Sequence, residues 1–284
     1  MRKRLMRFLL GLANFLLVVG ASVAAQVLLK GRVPDLVAIL IGTVLLVLLY
    51  VAGARWIERR NPVELRLTHA VRQFLKGLAV GAVLFSSVMG VLALLGEYRP
   101  TGFGNWRPLG AGLLFALLAA VFEETIFRGF LFRLFAGLGG NWVALALTAF
   151  LFGLAHKANP NATLYSAAAI AIEAGILLGA AYAASGTLWL PIGIHCAWNF
   201  TEGPIFGMSI SGNTQAAGLL TGNLHGPALL TGGAFGPEAS IIAVALCLGA
   251  AAYYLRKMKP ADSPVPANSP LYFSKTPPYS RKIS

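Results

Sequence analysis

The sequence predicts an all-α, polytopic membrane protein with about eight transmembrane helices, and three observations support this fold class. Hydrophobic residues make up 57% of the 284 residues and charged residues only 12%, with a mean hydropathy of +0.72. That composition leaves too little polar surface to cover a water-soluble globule of this size. Long apolar runs recur along the chain. The basic residues behind the net charge of +13 cluster between these runs, which is typical of membrane topology and not of nucleic-acid binding.

Each crossing needs about 20 mostly apolar residues, because a helix rises about 1.5 Å per residue and the hydrocarbon core is about 30 Å thick. The basic N-terminus resembles the start of a secretory signal peptide, but its apolar run continues to Leu29, which favours a retained span. The predicted spans are residues 8–29, 36–57, 74–95, 109–135, 141–157, 162–184, 188–206 and 239–255.

The distribution of lysine and arginine predicts that both termini are cytoplasmic. With the N-terminus inside, 18 of the 23 basic residues fall on the cytoplasmic side, as the positive-inside rule requires. The five outside are Lys30, Arg32, Arg99, Arg107 and Lys157. The chain is therefore expected in the cell membrane, and its composition, rich in Ala, Gly and Leu, is typical of a bacterial protein.

The chain divides into five predicted regions. N-terminal transmembrane helices occupy residues 1–108, and a predicted catalytic core of helices, which carries the ionisable residues inside predicted spans, occupies 109–206. An external glycine-rich loop at 207–238 precedes the last helix at 239–259. The Pro- and Ser-rich segment 260–284 is expected to be a disordered basic tail.

Ionisable residues inside predicted spans are the main functional signal, since a charged side chain at the centre of a span costs about 2.5–3.5 kcal/mol. Five such residues are Glu123, Glu124, Glu173, His156 and His195. The alternative is that the glutamates only join helices through polar contacts, and for Glu173 a structural role carries at least equal weight.

Helical spacing separates the two adjacent glutamates. Glu124 and Arg128, at i and i+4, share one face and can form an ion pair, whereas Glu123 points elsewhere without a local partner. An unpaired carboxylate in an apolar setting suits a general base. By helical rise, Glu123 and His156 lie about 22 to 24 Å from the turn at 136–140, so they can meet at one level. His195 and Asn199, again at i and i+4, present an imidazole and an amide on one face.

Three motifs resemble those of the CPBP family of intramembrane proteases, which includes the CAAX prenyl endopeptidases and bacteriocin-processing or immunity proteins. They are EExxxR at residues 123–128, FxxxH at 152–156 and HxxxN at 195–199. The resemblance covers about a third of the chain, from Leu109 to Glu202. It implies cleavage of a peptide bond by water inside a membrane cavity.

The resemblance also implies a role for each motif residue. Glu123 with His156 would hold and deprotonate water, and His195 with Asn199 would stabilise the oxyanion. Glu124 with Arg128 would fix the geometry of the helix that carries EExxxR (the motif helix). A divalent metal such as zinc, bound by Glu123, His156 and His195, is the alternative. We favour the metal-free mechanism, since the motif residues already supply a base, an orienting pair and an oxyanion donor.

Three functions remain open on the sequence. The leading hypothesis is an endopeptidase whose partners are membrane lipid and a peptide or membrane-protein substrate, with no nucleic acid. The second is a catalytically silent immunity or scaffold protein, against which the complete set of motif residues argues. The third is a proton-coupled transporter, against which the absence of inverted repeats in the sequence argues.

Overall fold

The computed structural model describes residues 2–214 and 218–258, and most of their regular structure is helical. The predicted tail at 260–284 lies outside these residues. Three π-helical segments, Thr125–Phe132, Ala171–Ile176 and Thr201–Ile205, continue the α-helices that precede them. The α-helices are α1 (Arg2–Leu29), α2 (Asp35–Trp56), α3 (Ala70–Leu94), α4 (Leu109–Glu124), α5 (Arg133–His156), α6 (Leu164–Ile170), α7 (Leu177–Ser185), α8 (Trp189–Phe200), α9 (Ala228–Thr231) and α10 (Ile241–Leu255).

In the described ranges, eight helical segments coincide with the eight predicted spans, and the chain has the architecture of a polytopic membrane protein. Five continuous segments there are long and apolar enough to cross a membrane: Phe8–Leu29, Asp35–Trp56, Ala70–Leu94, Leu109–His156 and Leu164–Ser185. The longest bends at Gly140, where φ is 80° and ψ is −177°, so it supplies two of the predicted spans. Ile241–Leu255 is a shorter apolar helix.

The expectation of an all-α fold is wrong in one respect, because the structure contains a two-stranded antiparallel sheet. Strand β1 (Tyr98–Phe103) pairs with β2 (Leu220–Leu224), with a register shift between Pro100 and Gly102. β2 lies inside the segment predicted as a glycine-rich loop. Both strands are short and lack a regular apolar alternation, so the pairing depends on the helices that bring them together.

Helix α8 forms the centre of the molecule, and every residue from Leu190 to Asn199 is buried. Glycines allow α3 to pack directly on its backbone. A Cβ at Gly81 would lie 2.1 Å from the carbonyl oxygen of Ile194, and a Cβ at Gly193 would lie 2.3 Å from that of Phe74. Such close backbone approach is typical of helix contacts in membranes. α8 also contacts α4 and α7, so the HxxxN motif faces the EExxxR helix.

Candidate active site

The predicted ion pair between Glu124 and Arg128 is present and fully buried. Arg128 Nη1 lies 2.8 Å from Glu124 Oε1, and neither side chain is exposed. Arg128 Nη2 also donates to the carbonyl oxygens of Ala174 and Gly175, at 3.2 Å and 3.1 Å. Because these carbonyls belong to the π-helical segment after α6, the arginine ties the motif helix to a second part of the core.

His195 joins this pair from the central helix. Its Nδ1 lies 3.1 Å from the same Glu124 Oε1, and since a carboxylate only accepts hydrogen bonds, Nδ1 carries the proton. The carboxylate thereby orients the ring and leaves Nε2 on the opposite side. Asn199, one turn further along α8, is also buried.

His156, the last residue of α5, is oriented by its own helix. Its Nδ1 lies 2.8 Å from the carbonyl oxygen of Phe152, so Nδ1 donates and Nε2 is left free. The Phe152 ring lies 4.6 Å from the His156 ring and 6.2 Å from the His195 ring, and 4.8 Å from Arg128 Cζ. The phenylalanine of FxxxH is therefore the surface on which the other motif side chains pack.

Glu123 faces both histidines, although they come from different helices. Its Oε2 is 3.8 Å from Nε2 of His156 and 4.0 Å from Nε2 of His195. The Glu123 side chain is 27% exposed, against 0% for Glu124, and in the described part of the chain Glu123 Oε2 has no hydrogen-bond partner. The two distances are too long for direct hydrogen bonds, so this carboxylate oxygen approaches both imidazoles without being bonded to either.

A cavity of about 30 Å³ lies behind the histidines, which is room for about one water molecule. Beside apolar side chains, its walls carry six polar residues: His156, Glu173, His195, Asn199, Ser211 and Glu238. Glu173 therefore lies at the site, with only 2% of its surface exposed.

Sequence reasoning missed Ser211 and Glu238, which come from the segment predicted as an external loop. No helical spacing relates them to the motifs, and the only available signal was an acidic residue directly before an apolar span. Burial raises the pKa of Glu238, which favours its neutral form. Glu202, another fully buried carboxyl, is its neighbour.

Side-chain amides hold this loop segment over the site. Asn159 Nδ2 donates to the carbonyl oxygen of Ser211 and Asn161 Nδ2 to that of Gly212, each at 3.0 Å. The Gly212 amide in turn donates to the carbonyl oxygen of Phe235 at 2.7 Å. Because the two asparagines directly follow the FxxxH motif, the loop is attached to the helix end that carries His156.

The residues do not converge enough to form a ready metal site. Nε2 of His156, Nε2 of His195 and the Glu123 carboxylate are the donor types that catalytic zinc uses. Among the described residues, however, no group of three His, Cys, Asp or Glu side chains is close enough to hold a metal ion. The choice between metal-free and metal-dependent chemistry stays a prediction.

Comparison with known proteins agrees with the predicted resemblance. Residues 105–201 match the family model described as type II CAAX prenyl endopeptidase Rce1-like, and this range includes all three motifs. No curated protein and no solved structure matches the chain. The chain therefore carries, over residues 105–201, an Rce1-like type II CAAX prenyl endopeptidase domain of the CPBP family.

Proposed function

We propose that the protein is an intramembrane endopeptidase that hydrolyses a peptide bond of a membrane-associated protein or peptide. The observation that carries the proposal is the approach of Glu123 Oε2 to the Nε2 atoms of both His156 and His195, at 3.8 Å and 4.0 Å. A water molecule bound by these groups can lose its proton to the carboxylate while it attacks a substrate carbonyl carbon. The resulting carboxylic acid can then give that proton to the amine nitrogen as the carbon–nitrogen bond breaks.

The remaining motif residues have distinct roles in this proposal. His156 accepts a hydrogen bond from the water through Nε2, because its Nδ1 proton is engaged by the Phe152 carbonyl. His195 donates to the developing oxyanion when Nε2 is protonated, and the Glu124 carboxylate at Nδ1 stabilises that cation. Asn199 supplies a second donor on the same helix face. Glu124 and Arg128 orient these groups and do not touch the substrate.

The test is the Glu123→Gln variant of the purified protein in liposomes that also contain membrane proteins of the host. The amide keeps the shape of the side chain but cannot accept the proton. We expect the new peptide termini, quantified by mass spectrometry, to decrease at least about 100-fold, with unchanged thermal unfolding. Glu97→Gln, a change of the same type at a residue that does not line the cavity, is the control and should cleave as the wild type does.

Other outcomes separate the alternatives. No cleavage by the wild type would support a silent scaffold, and proton flux without cleavage would support a transporter. We expect wild-type activity to survive a strong chelator. Stoichiometric zinc, removed with loss of activity and restoring it on return, would replace the metal-free mechanism.

A further inference from the structure

A buried charge network lies at the cytoplasmic end of the motif helix by the predicted topology. Arg60 Nε lies 2.7 Å from Glu58 Oε2, and Arg60 Nη1 lies 2.9 Å from Glu64 Oε1. Arg133 Nη2 lies 2.9 Å from the same Glu58 oxygen. Although burial raises the pKa of Glu58, the guanidinium groups of Arg133 and Arg60 lower it to about 2. The Glu58 carboxylate is therefore ionised at neutral pH and is paired with both guanidinium groups.

Arg133 of this network and the neighbouring Tyr50 converge on one backbone carbonyl of the motif helix. Arg133 Nη1 donates to the carbonyl oxygen of Gly129 at 3.0 Å, and the Tyr50 hydroxyl lies 3.0 Å from the same oxygen. The hydroxyl also contacts the Glu64 carboxylate and accepts from Arg60 Nη2 at 3.0 Å. The hydroxyl has one proton to donate, and the Glu64 and Gly129 oxygens are its two acceptors in reach. Tyr50, on α2, thus connects the N-terminal helices to the motif helix.

The carbonyl lies where the geometry of the motif helix is least regular. Residues Thr125–Phe132 form a π-helical segment directly after Glu124, and such wide turns are rare and occur mostly as short bulges inside α-helices, often at functional sites. Gly129 follows Arg128, whose guanidinium sets Glu124 and through it His195. We propose that Tyr50, with Arg133, is a positioning residue that fixes this turn and thereby the placement of both motif glutamates.

The test compares two tyrosines that differ in what their hydroxyls contact. Tyr50→Phe removes the hydroxyl and keeps the ring, which packs edge-on against Phe130 at 4.6 Å. Tyr182→Phe is the matched control: this ring also lies edge-on to a phenylalanine, Phe132, at 5.3 Å. Tyr182 is equally buried, and its hydroxyl has no hydrogen-bond partner in the described part of the chain.

The first readout is amide hydrogen exchange of the peptide covering residues 121–133, which does not depend on activity. We expect Tyr50→Phe to raise the exchange rate there roughly fivefold, the effect of one buried hydrogen bond. Tyr182→Phe should leave it unchanged. Equal exchange in wild type and Tyr50→Phe would overturn the proposal even if the protein proved not to be a protease.

The second readout rests on the proposed endopeptidase activity. We expect Tyr50→Phe to lower kcat about 10- to 100-fold with KM nearly unchanged, and to change the shape of the pH profile of kcat, since the Glu124–His195 contact shifts. If Tyr50 contributed to stability alone, Tyr50→Phe would lower kcat by the same factor at every pH. A pH profile of unchanged shape would therefore overturn the positioning role. Absence of cleavage by the wild type would contradict the proposed function and leave the exchange experiment decisive.

Discussion

One carboxylate oxygen organises the candidate site. Glu124 Oε1 accepts from both Arg128 Nη1, at 2.8 Å, and His195 Nδ1, at 3.1 Å. A fully buried carboxylate is costly unless it is paired and hydrogen-bonded, and here the pairing also orients the histidine that faces Glu123. The neighbouring glutamate remains partly exposed, so adjacent residues of one type have different environments and different proposed roles.

The coupling of Glu124 and Arg128 gives a prediction about stability. Changing either residue alone to an apolar one, Glu124→Leu or Arg128→Met, leaves a buried charge uncompensated and should lower the free energy of unfolding by about 3 kcal/mol. Because the double variant buries no lone charge, its loss should be well below the sum of the two. Denaturation in mixed micelles measures each value.

The control for this cycle is Arg72→Met, which changes an exposed arginine of α3. Its effect should stay within about 0.5 kcal/mol. Strictly additive losses for the Glu124 and Arg128 variants would show that the two side chains are not coupled.

The contacts between residues could be predicted from the sequence only where helical geometry sets them. The i, i+4 spacing predicted the Glu124–Arg128 pair, and the equal depths of Glu123 and His156 predicted their approach. The roles assigned to these residues remain predictions. Spacing carried no information about Glu238 or Tyr50, because their positions depend on how a loop and a remote helix pack against the motif helix.

The elements around the site show which parts of the fold the sequence could predict and which it could not. Apolar runs predicted the eight helical segments, since burial or lipid contact requires such runs. The π-helical segment Thr125–Phe132 has the composition of an ordinary helix, so its wider turn is set by tertiary contacts such as those at Gly129. The loop at 207–238 contains β2 and α9, and β2 depends on long-range pairing with β1.

The docking of this loop gives a prediction at the level of elements. Asn159→Ala combined with Asn161→Gly removes both amides that hold the Ser211–Gly212 turn. Glycine is chosen because residue 161 has a φ of 58°, which an alanine would adopt only under strain. We expect turnover to fall by about tenfold, the effect of two lost hydrogen bonds, with little change in thermal unfolding.

Asn223→Ala, an exposed asparagine on β2, is the matched control and should retain full turnover. If the double variant also retains full turnover, the loop does not contribute to the site. Faster amide exchange at 207–214 in the double variant would confirm that the turn has been released.

At the scale of the whole molecule, the charge network around Arg133 and the loop that carries Glu238 belong to opposite sides of the predicted topology. By the predicted topology, the charge network of Glu58, Arg60, Glu64 and Arg133 lies on the cytoplasmic side, and the loop with Ser211 and Glu238 lies on the opposite side. The positive-inside rule is the basis of this prediction. By the proposed function, peptide bonds of the substrate would be cut between the charge network and this loop.

This arrangement predicts that Arg66 and His225 lie on opposite sides of the membrane. Both residues are exposed, Arg66 before α3 and His225 after β2. Each is changed to cysteine in a background where Cys196 and Cys247, both buried, are replaced by alanine. In intact cells, an impermeant thiol reagent should label the cysteine at 225 and should reach the one at 66 only after permeabilisation.

Labelling of both from the same side would contradict the eight-span topology, since five predicted spans separate the two positions. The reverse pattern would keep the number of spans but place both termini outside, against the distribution of 18 of 23 basic residues.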